Sequence, residues 1–272
     1  RILKDEFLAV LEQCKKRPTP PYIFASIRDI LAPPSKPKKA VFADDTLSYF
    51  YDAVLVHSDP QIMPLDLSWP VGTRLAAKLR YTGFVAPPAP FPHPQGDGAG
   101  EVLVSAGGGD VGMALFNAAR SAASRNPTRR WRLLVGGQNS GANCDLLNHD
   151  APTNLIAQVA RPDFRQMLHH AAVSVSLCGY NTALDILQTG CPAVFVPFDD
   201  GNEVEQGIRA TALAQQPGIE RLTAANLDAP RLLDAVARAI AAAKRPAQTS
   251  QMNGAQRSVE IVEQICGGHH GG

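Results

Sequence analysis

Apolar and polar positions follow two periods along the chain, and their order predicts an α/β protein. Residues 2–11 carry Ile2, Leu3, Phe7, Leu8, Val10 and Leu11 at helical spacing, so an amphipathic helix is already under way where the chain opens. Pro18, Pro20 and Pro21 stop it, since proline lacks the N–H and crowds the preceding turn. Residues 22–26 then read as a short buried strand, 28–40 as a loop, 41–51 as a helix, and 52–57 and 79–85 as strands. Residues 86–100 hold five prolines and three glycines without any periodicity, which marks a linker and a domain boundary.

Beyond it the pattern is regular. Strands are expected at 101–105, 131–135, 154–159, 172–176 and 192–197. Helices are expected at 111–125, 162–171, 180–189, 203–215, 223–243 and 252–265. Strands alternating with helices form a doubly wound parallel sheet, which binds ligands outside the carboxyl ends of its strands. The expected organisation is an N-terminal α/β domain over 1–90, a Rossmann-like domain over 98–265, and a flexible tail over 266–272.

Composition narrows the function. The 272 residues are 45% hydrophobic and 19% charged, which supports packed cores, and a net charge of +1 gives no field for nucleic acid. Lys36, Lys38 and Lys39 read as a solvated loop. Five cysteines (14, 144, 178, 191 and 266) lack paired spacing and read as free thiols of a reducing compartment. There is no signal-peptide pattern and no apolar run of the ~18 residues a membrane span needs. A cytoplasmic location is expected, with peripheral membrane contact still open. Cys266, His269 and His270 sit in a glycine-rich tail and read as a free end, not a metal site.

Three segments carry the chemistry. The first, 105–112, contains Gly107, Gly108, Gly109 and Gly112 between a strand and a helix. Glycine lets a ligand approach the backbone, and the helix start offers N–H groups to an anion, so diphosphate is the natural guest; a plain tight turn is the alternative. The string also fits the G-x-G-x-x-G spacing. The second strand of the unit, however, ends Val135-Gly136-Gly137-Gln138, without the acid that would hold a dinucleotide's ribose.

The second segment runs from Ser176 through Gly179, Tyr180, Asn181 and Thr182 to Asp185. Gly179 turns the chain, Asn181 or Thr182 can cap the new helix, and Asp185 lies one turn in, able to accept from both hydroxyls of a ribose. A capped helix with a favourably placed acid is the plain alternative. The third, 190–206, is a buried strand closed by Pro197, then a polar loop and Gln206. Its acids Asp199, Asp200, Glu203 and Glu205 read as helix-start acids before a metal site.

In this order and spacing, the three segments resemble the C-terminal domain of MurG-type glycosyltransferases of the GT-B fold, and more narrowly a bacterial group of predicted glycosyltransferases. Residues 51–60 and 80–83 resemble that group as well. The resemblance implies a GT-B-like fold of two Rossmann-like domains, the N-terminal one incomplete, and it covers most of the chain. It places Gly107, Gly108 and Gly109 in the glycine turn facing the diphosphate. Gly179, Tyr180, Asn181 and Thr182 fall at the phosphate-binding helix start, and Asp185 at the ribose-gripping acid, usually a glutamate. Gln206 matches a glutamine that reads the donor sugar, and Val159 to Arg161 lie where backbone pairs with the uracil edge. Arg209 stands where an asparagine helps read the sugar; an arginine can pair with a carboxylate or phosphate instead. The family's N-terminal glycine loop with its histidine has no counterpart.

The function expected from this reading is a metal-independent, hexosyltransferase-type transfer from a nucleotide sugar, UDP-sugar first, to an unidentified acceptor, without a cofactor. His57, at a strand end in the N-terminal half, is a weak candidate for acceptor contact or base work. A nucleotide-sugar hydrolase or epimerase, a non-catalytic nucleotide-binding module and an NAD-dependent oxidoreductase are the competing readings, the last weakened by the missing acid.

Overall fold

The computed structural model describes residues 3–106, 112–198 and 204–267. The chain divides into two compact units, one of Arg1–Ala86 with Asn253–Gly272, the other of Pro87–Met252.

The first unit opens with α1 (Lys4–Lys15), β1 (Phe24–Arg28), α2 (Pro37–Phe50) and β2 (Ala53–His57), then α3 (Thr73–Lys78) and β3 (Leu79–Tyr81). The three strands are parallel in the order β1-β2-β3. Val54, Val56, Leu65 and Leu75 form its core, with Ile27, Leu47 and Trp69 packed against them. Two sequence expectations are corrected here. Lys38 and Lys39 lie in the first turn of α2, because Pro37 starts that helix where its missing N–H costs nothing. The strand expected over 79–85 ends at Tyr81.

The second unit contains β4 (Val102–Ser105), α4 (Met113–Arg125), β5 (Trp131–Val135), α5 (Ser140–Asn148), β6 (Leu155–Val159) and α6 (Phe164–Met167). It continues with β7 (Val173–Ser176), α7 (Tyr180–Thr189), β8 (Ala193–Phe195), α8 (Glu205–Leu213), β9 (Ile219–Arg221) and α9 (Ala229–Ala241). All six strands are parallel, in the order β6-β5-β4-β7-β8-β9. The order reverses between β4 and β7, so the crevice at their carboxyl ends is where such a sheet takes a ligand. Val102 and Val104, Trp131 and Leu133, and Val173 and Val175 share one buried face. Small side chains on α4 (Ala119, Ala122, Ala123) and α9 (Ala235, Ala239) cover it. Each large side chain buried there stabilises the unit by about 1.5–3 kcal/mol. The helix expected over 223–243 starts later, at Ala229, because the Asp228 carboxylate accepts from Arg231 N and caps it.

Helix α10 (Gly254–Gly267) completes the first unit. Val85 and Asn253 form an antiparallel bridge, and Gly254 N donates to Phe84 O at 2.9 Å. A Cβ on Gly254 would lie 2.6 Å from Gly83 O and 2.8 Å from Phe84 O, so only glycine allows this approach.

The segment expected as a linker is instead a strap held by side chains of the second unit. Gln188 Nε2 donates to Pro87 O and Arg165 Nη2 to Pro88 O, while His169 and His170 turn their Nε2 to Pro90 O and His93 O. Arg161 bridges Asp97 and Asp163. His93 Nδ1 accepts from the amides of Gln95 and Asp97, which leaves its Nε2–H for Asp163 at 3.1 Å. The Arg161 guanidinium is the main reason the Asp163 carboxyl titrates at about 2. Proline-rich chain without periodicity looks like a linker, but its free carbonyls are acceptors, and here they are used.

Candidate functional site

The crevice between β4 and β7 is built from two strand ends and one helix start. β4 leaves Ser105 and Ala106 at its carboxyl end; Gly107, Gly108 and Gly109 lie outside the described residues. β7 ends at Ser176, Gly179 turns the chain with φ −64° and ψ 155°, and α7 starts at Tyr180. Among the described residues no side chain caps this helix, so neither Asn181 nor Thr182 serves as its cap, contrary to the sequence expectation. Among the described residues, a Cβ on Gly179 would meet nothing within 4 Å. The start of a helix carries a positive end that favours an anion.

Next to it lies an open cavity of about 180 Å³ whose walls include Ser105, Ala160, Arg161, Phe164, Thr182 and Asp185. Of the residues singled out in the sequence, the structure brings Arg161, Thr182 and Asp185 together here. Val159 does not line it; its side chain is half exposed on the edge strand β6. Arg161 points its charge at Asp97 and Asp163.

Asp185 is buried, and burial raises its pKa. Arg165 opposes that shift, its Nε donating to Asp185 Oδ1 at 2.6 Å. Arg165 Nη2 also reaches Gln188 Oε1 at 2.8 Å, so the acid is fixed from α6 and from one turn further along its own helix. The sequence reading missed Arg165. The only signal available was an arginine beside a short apolar turn, 20 residues before its partner.

Gln206 and Arg209 act behind the turn. Gln206 Oε1 accepts from Cys178 N at 3.1 Å and Phe198 N at 3.2 Å, joining the exit of β7 to the exit of β8. Arg209 is 2% exposed, donates from Nη1 to Cys178 O at 2.9 Å, and carries its guanidinium 5.8 Å from the Tyr180 ring centre. Both residues therefore fix the position from which α7 departs. Asp199, Asp200 and Glu203 lie outside the described residues, as do His269 and His270. Among the described residues no three His, Cys, Asp or Glu side chains gather to hold a metal.

His57 sits at the end of β2 in the first unit. Ser26 Oγ donates to its Nε2 at 2.7 Å, and its Nδ1–H lies 2.9 Å from Thr82 Oγ1, whose own proton goes to Gly83 O. Burial lowers its pKa, so the ring is neutral at pH 7 with both nitrogens engaged. Base work from this position requires Ser26 to release Nε2.

The sequence model of the glycosyltransferase family 28 C-terminal domain matches residues 104–265, more than half of the chain, and the chain belongs to that family. No curated protein matches the sequence. Among solved structures the chain is similar to MurG from Acinetobacter baumannii, with 18% identity and a TM-score of 0.59 over 88% of this chain and 66% of that one. It is also similar to the calicheamicin glycosyltransferase CalG4, with 19% identity and a TM-score of 0.59 over 96% and 64%. A spinosyn rhamnosyltransferase complexed with thymidine diphosphate matches at 18% identity and a TM-score of 0.51, over 80% and 54%. The chain spans less than two thirds of each of these proteins. At these identities the likeness is one of fold: the second unit has the Rossmann-like architecture of a GT-B C-terminal domain. Among the described residues, no helix is long and apolar enough to cross a membrane.

Proposed function

We propose that this chain carries the donor-binding half of a glycosyltransferase that moves a hexose from a nucleoside diphosphate sugar, UDP-sugar first, to an acceptor hydroxyl. The observation that carries the reading is the uncapped start of α7 at the reversal of strand order, one turn from a buried acid that lines a cavity. In this reading the diphosphate lies against the amides of Tyr180 to Thr182 and against the glycine turn. As the glycosidic bond breaks, the leaving diphosphate gains charge, and N–H groups already aimed at it stabilise that charge without a metal. The ribose hydroxyls donate to Asp185, whose orientation Arg165 holds. The base occupies the cavity beside Ala160 and Phe164. Gln206 and Arg209 contribute by fixing the turn, and any contact with the sugar adds to that role.

Family membership supports glycosyl transfer, and the thymidine diphosphate named for the spinosyn rhamnosyltransferase supports a nucleoside diphosphate as ligand. Calorimetric titration of the chain with UDP, dTDP, GDP and NAD, with and without EDTA, tests the proposal. Selective binding of UDP that EDTA leaves intact and Asp185→Ala weakens is the expected result. A preference for NAD, or an affinity that Asp185→Ala does not change, would overturn it.

A further inference from the structure

In the first unit, the carboxyl end of the sheet gathers a serine, a histidine and a threonine. Ser26 lies on β1, His57 ends β2, and Thr82 follows β3. The carboxyl ends of parallel strands are where such sheets carry their chemistry. Thr82 is buried, whereas the Ser26 side chain is exposed, so the cluster runs from the core out to solvent.

The direction of every proton in the cluster is fixed from its buried end. Thr82 Oγ1 lies 2.7 Å from Gly83 O and 3.3 Å from Val56 O, and a carbonyl can only accept, so the hydroxyl donates to main chain. Its oxygen is left to accept, and His57 Nδ1, 2.9 Å away, carries the proton between them. The imidazole is neutral, its pKa lowered by burial, which makes Nε2 a lone pair. Ser26 Oγ, 2.7 Å from Nε2, therefore donates into it. A hydroxyl held on a base that a third group orients is the arrangement of an activated nucleophile.

Ser26 also brings a main-chain donor. β1 is an outer strand of its sheet. Ile23, just before it, turns both its amide and its carbonyl to Asp52 on the β2 side, at 2.7 and 2.8 Å. Main-chain groups along a strand alternate in direction, so Ala25 and Ile27 face β2 as well, and the Ser26 amide points to the outer edge. An N–H beside the attacking oxygen is placed to stabilise the oxyanion that forms there.

We propose that Ser26 is a nucleophile towards acyl esters, with His57 as its base and Thr82 as the residue that positions the base. An external hydroxyl would need Ser26 to release Nε2; the Ser26 hydroxyl is already in place. Its proton moves to His57 Nε2 as Oγ bonds to the acyl carbon, and His57 passes that proton to the departing alkoxide. Water then attacks the acyl carbon and gives a proton to His57, which returns it to Ser26 Oγ as the carboxylic acid leaves. The cluster belongs to the first unit, and the proposal stands whether or not the donor reading holds.

The test is labelling of the chain with diisopropyl fluorophosphate, read by peptide mass spectrometry, together with release of p-nitrophenolate from p-nitrophenyl acetate. Ser26→Ala sets the background from other nucleophiles, the free cysteines included, and since Ser26 is exposed this variant is expected to fold. The expected result is an adduct on Ser26 and ester release above that background, both reduced about tenfold or more in His57→Gln. Thr82→Val, which cannot accept from Nδ1–H, is expected to slow both, and Thr82→Ser, which keeps the hydroxyl, to restore them. If Thr82→Val fails to fold, His57→Gln carries the test alone. No adduct on Ser26, or ester release that Ser26→Ala or His57→Gln leaves unchanged, or wild-type rates in a folded Thr82→Val, would overturn the proposal.

Discussion

Arg165 Nε lies 2.6 Å from Asp185 Oδ1, a charge-assisted bond between the short helix α6 and the first turn of α7. Burial alone would favour the protonated acid, and the guanidinium pulls the other way. Arg165→Met therefore raises the pKa of Asp185 further. UDP affinity in that variant should fall on acidification at a higher pH than in the wild type. Titrations at three pH values check this, and parallel curves would separate Arg165 from the acid.

Removing the acid itself strands its partners. Asp185→Ala should weaken UDP binding by about 1–3 kcal/mol, the usual consequence of leaving a buried polar group without its mate. Circular dichroism melting of the same variant distinguishes lost affinity from lost folding.

Gln206 offers a way to separate support from sugar recognition. Its Oε1 accepts two backbone amides, and a glutamate at 206 can accept both. Gln206→Glu should keep the melting temperature within a few degrees, whereas Gln206→Leu should lose about 1–3 kcal/mol of stability. A Gln206→Glu variant that binds UDP normally but UDP-sugars poorly would show the amide group reading the sugar as well.

The strap makes a pH-dependent contribution. The Asp163 carboxyl, ordinarily near 3.8, is held at about 2 by Arg161, so its stabilisation is complete above pH 4 and is lost as pH falls through 2. Asp163→Asn should melt below the wild type at neutral pH, and the gap should close on acidification between those values. Melting curves over that interval decide it; a constant gap would show that Asp163 acts through packing.

At Gly254 the prediction is steric. A methyl group there meets the backbone of Gly83 and Phe84, and Gly254→Ala should cost about 1–3 kcal/mol through overpacking. Denaturant unfolding measures it.

Much of the Rossmann-like sheet was legible because β4, β5 and β7 are short apolar runs bounded by turn residues, the pattern a fully buried parallel strand requires. α5 was not. The stretch from Gly136 to Gly141 reads as a turn, and a helix of nine residues with buried Cys144 and Leu147 takes its stability from packing. β9, three residues long, carries too few positions to show a period. In the site, the α7 start was legible as local backbone geometry. The Arg165–Asp185 bond and the two-amide grip of Gln206 were not, since each joins residues that only the folded sheet brings together.

The strap changes where the second unit can be cut. Residues 87–97 look dispensable in sequence, and a boundary at 98 would seem safe. Such a cut removes Pro87, Pro88, His93 and Asp97 together, leaving Gln188, Arg165, Asp163 and Arg161 each without a partner they now hold. Three of those four lie on α7, on α6 or in the cavity wall. The second unit, if it is to be expressed and assayed alone, should therefore begin at Pro87.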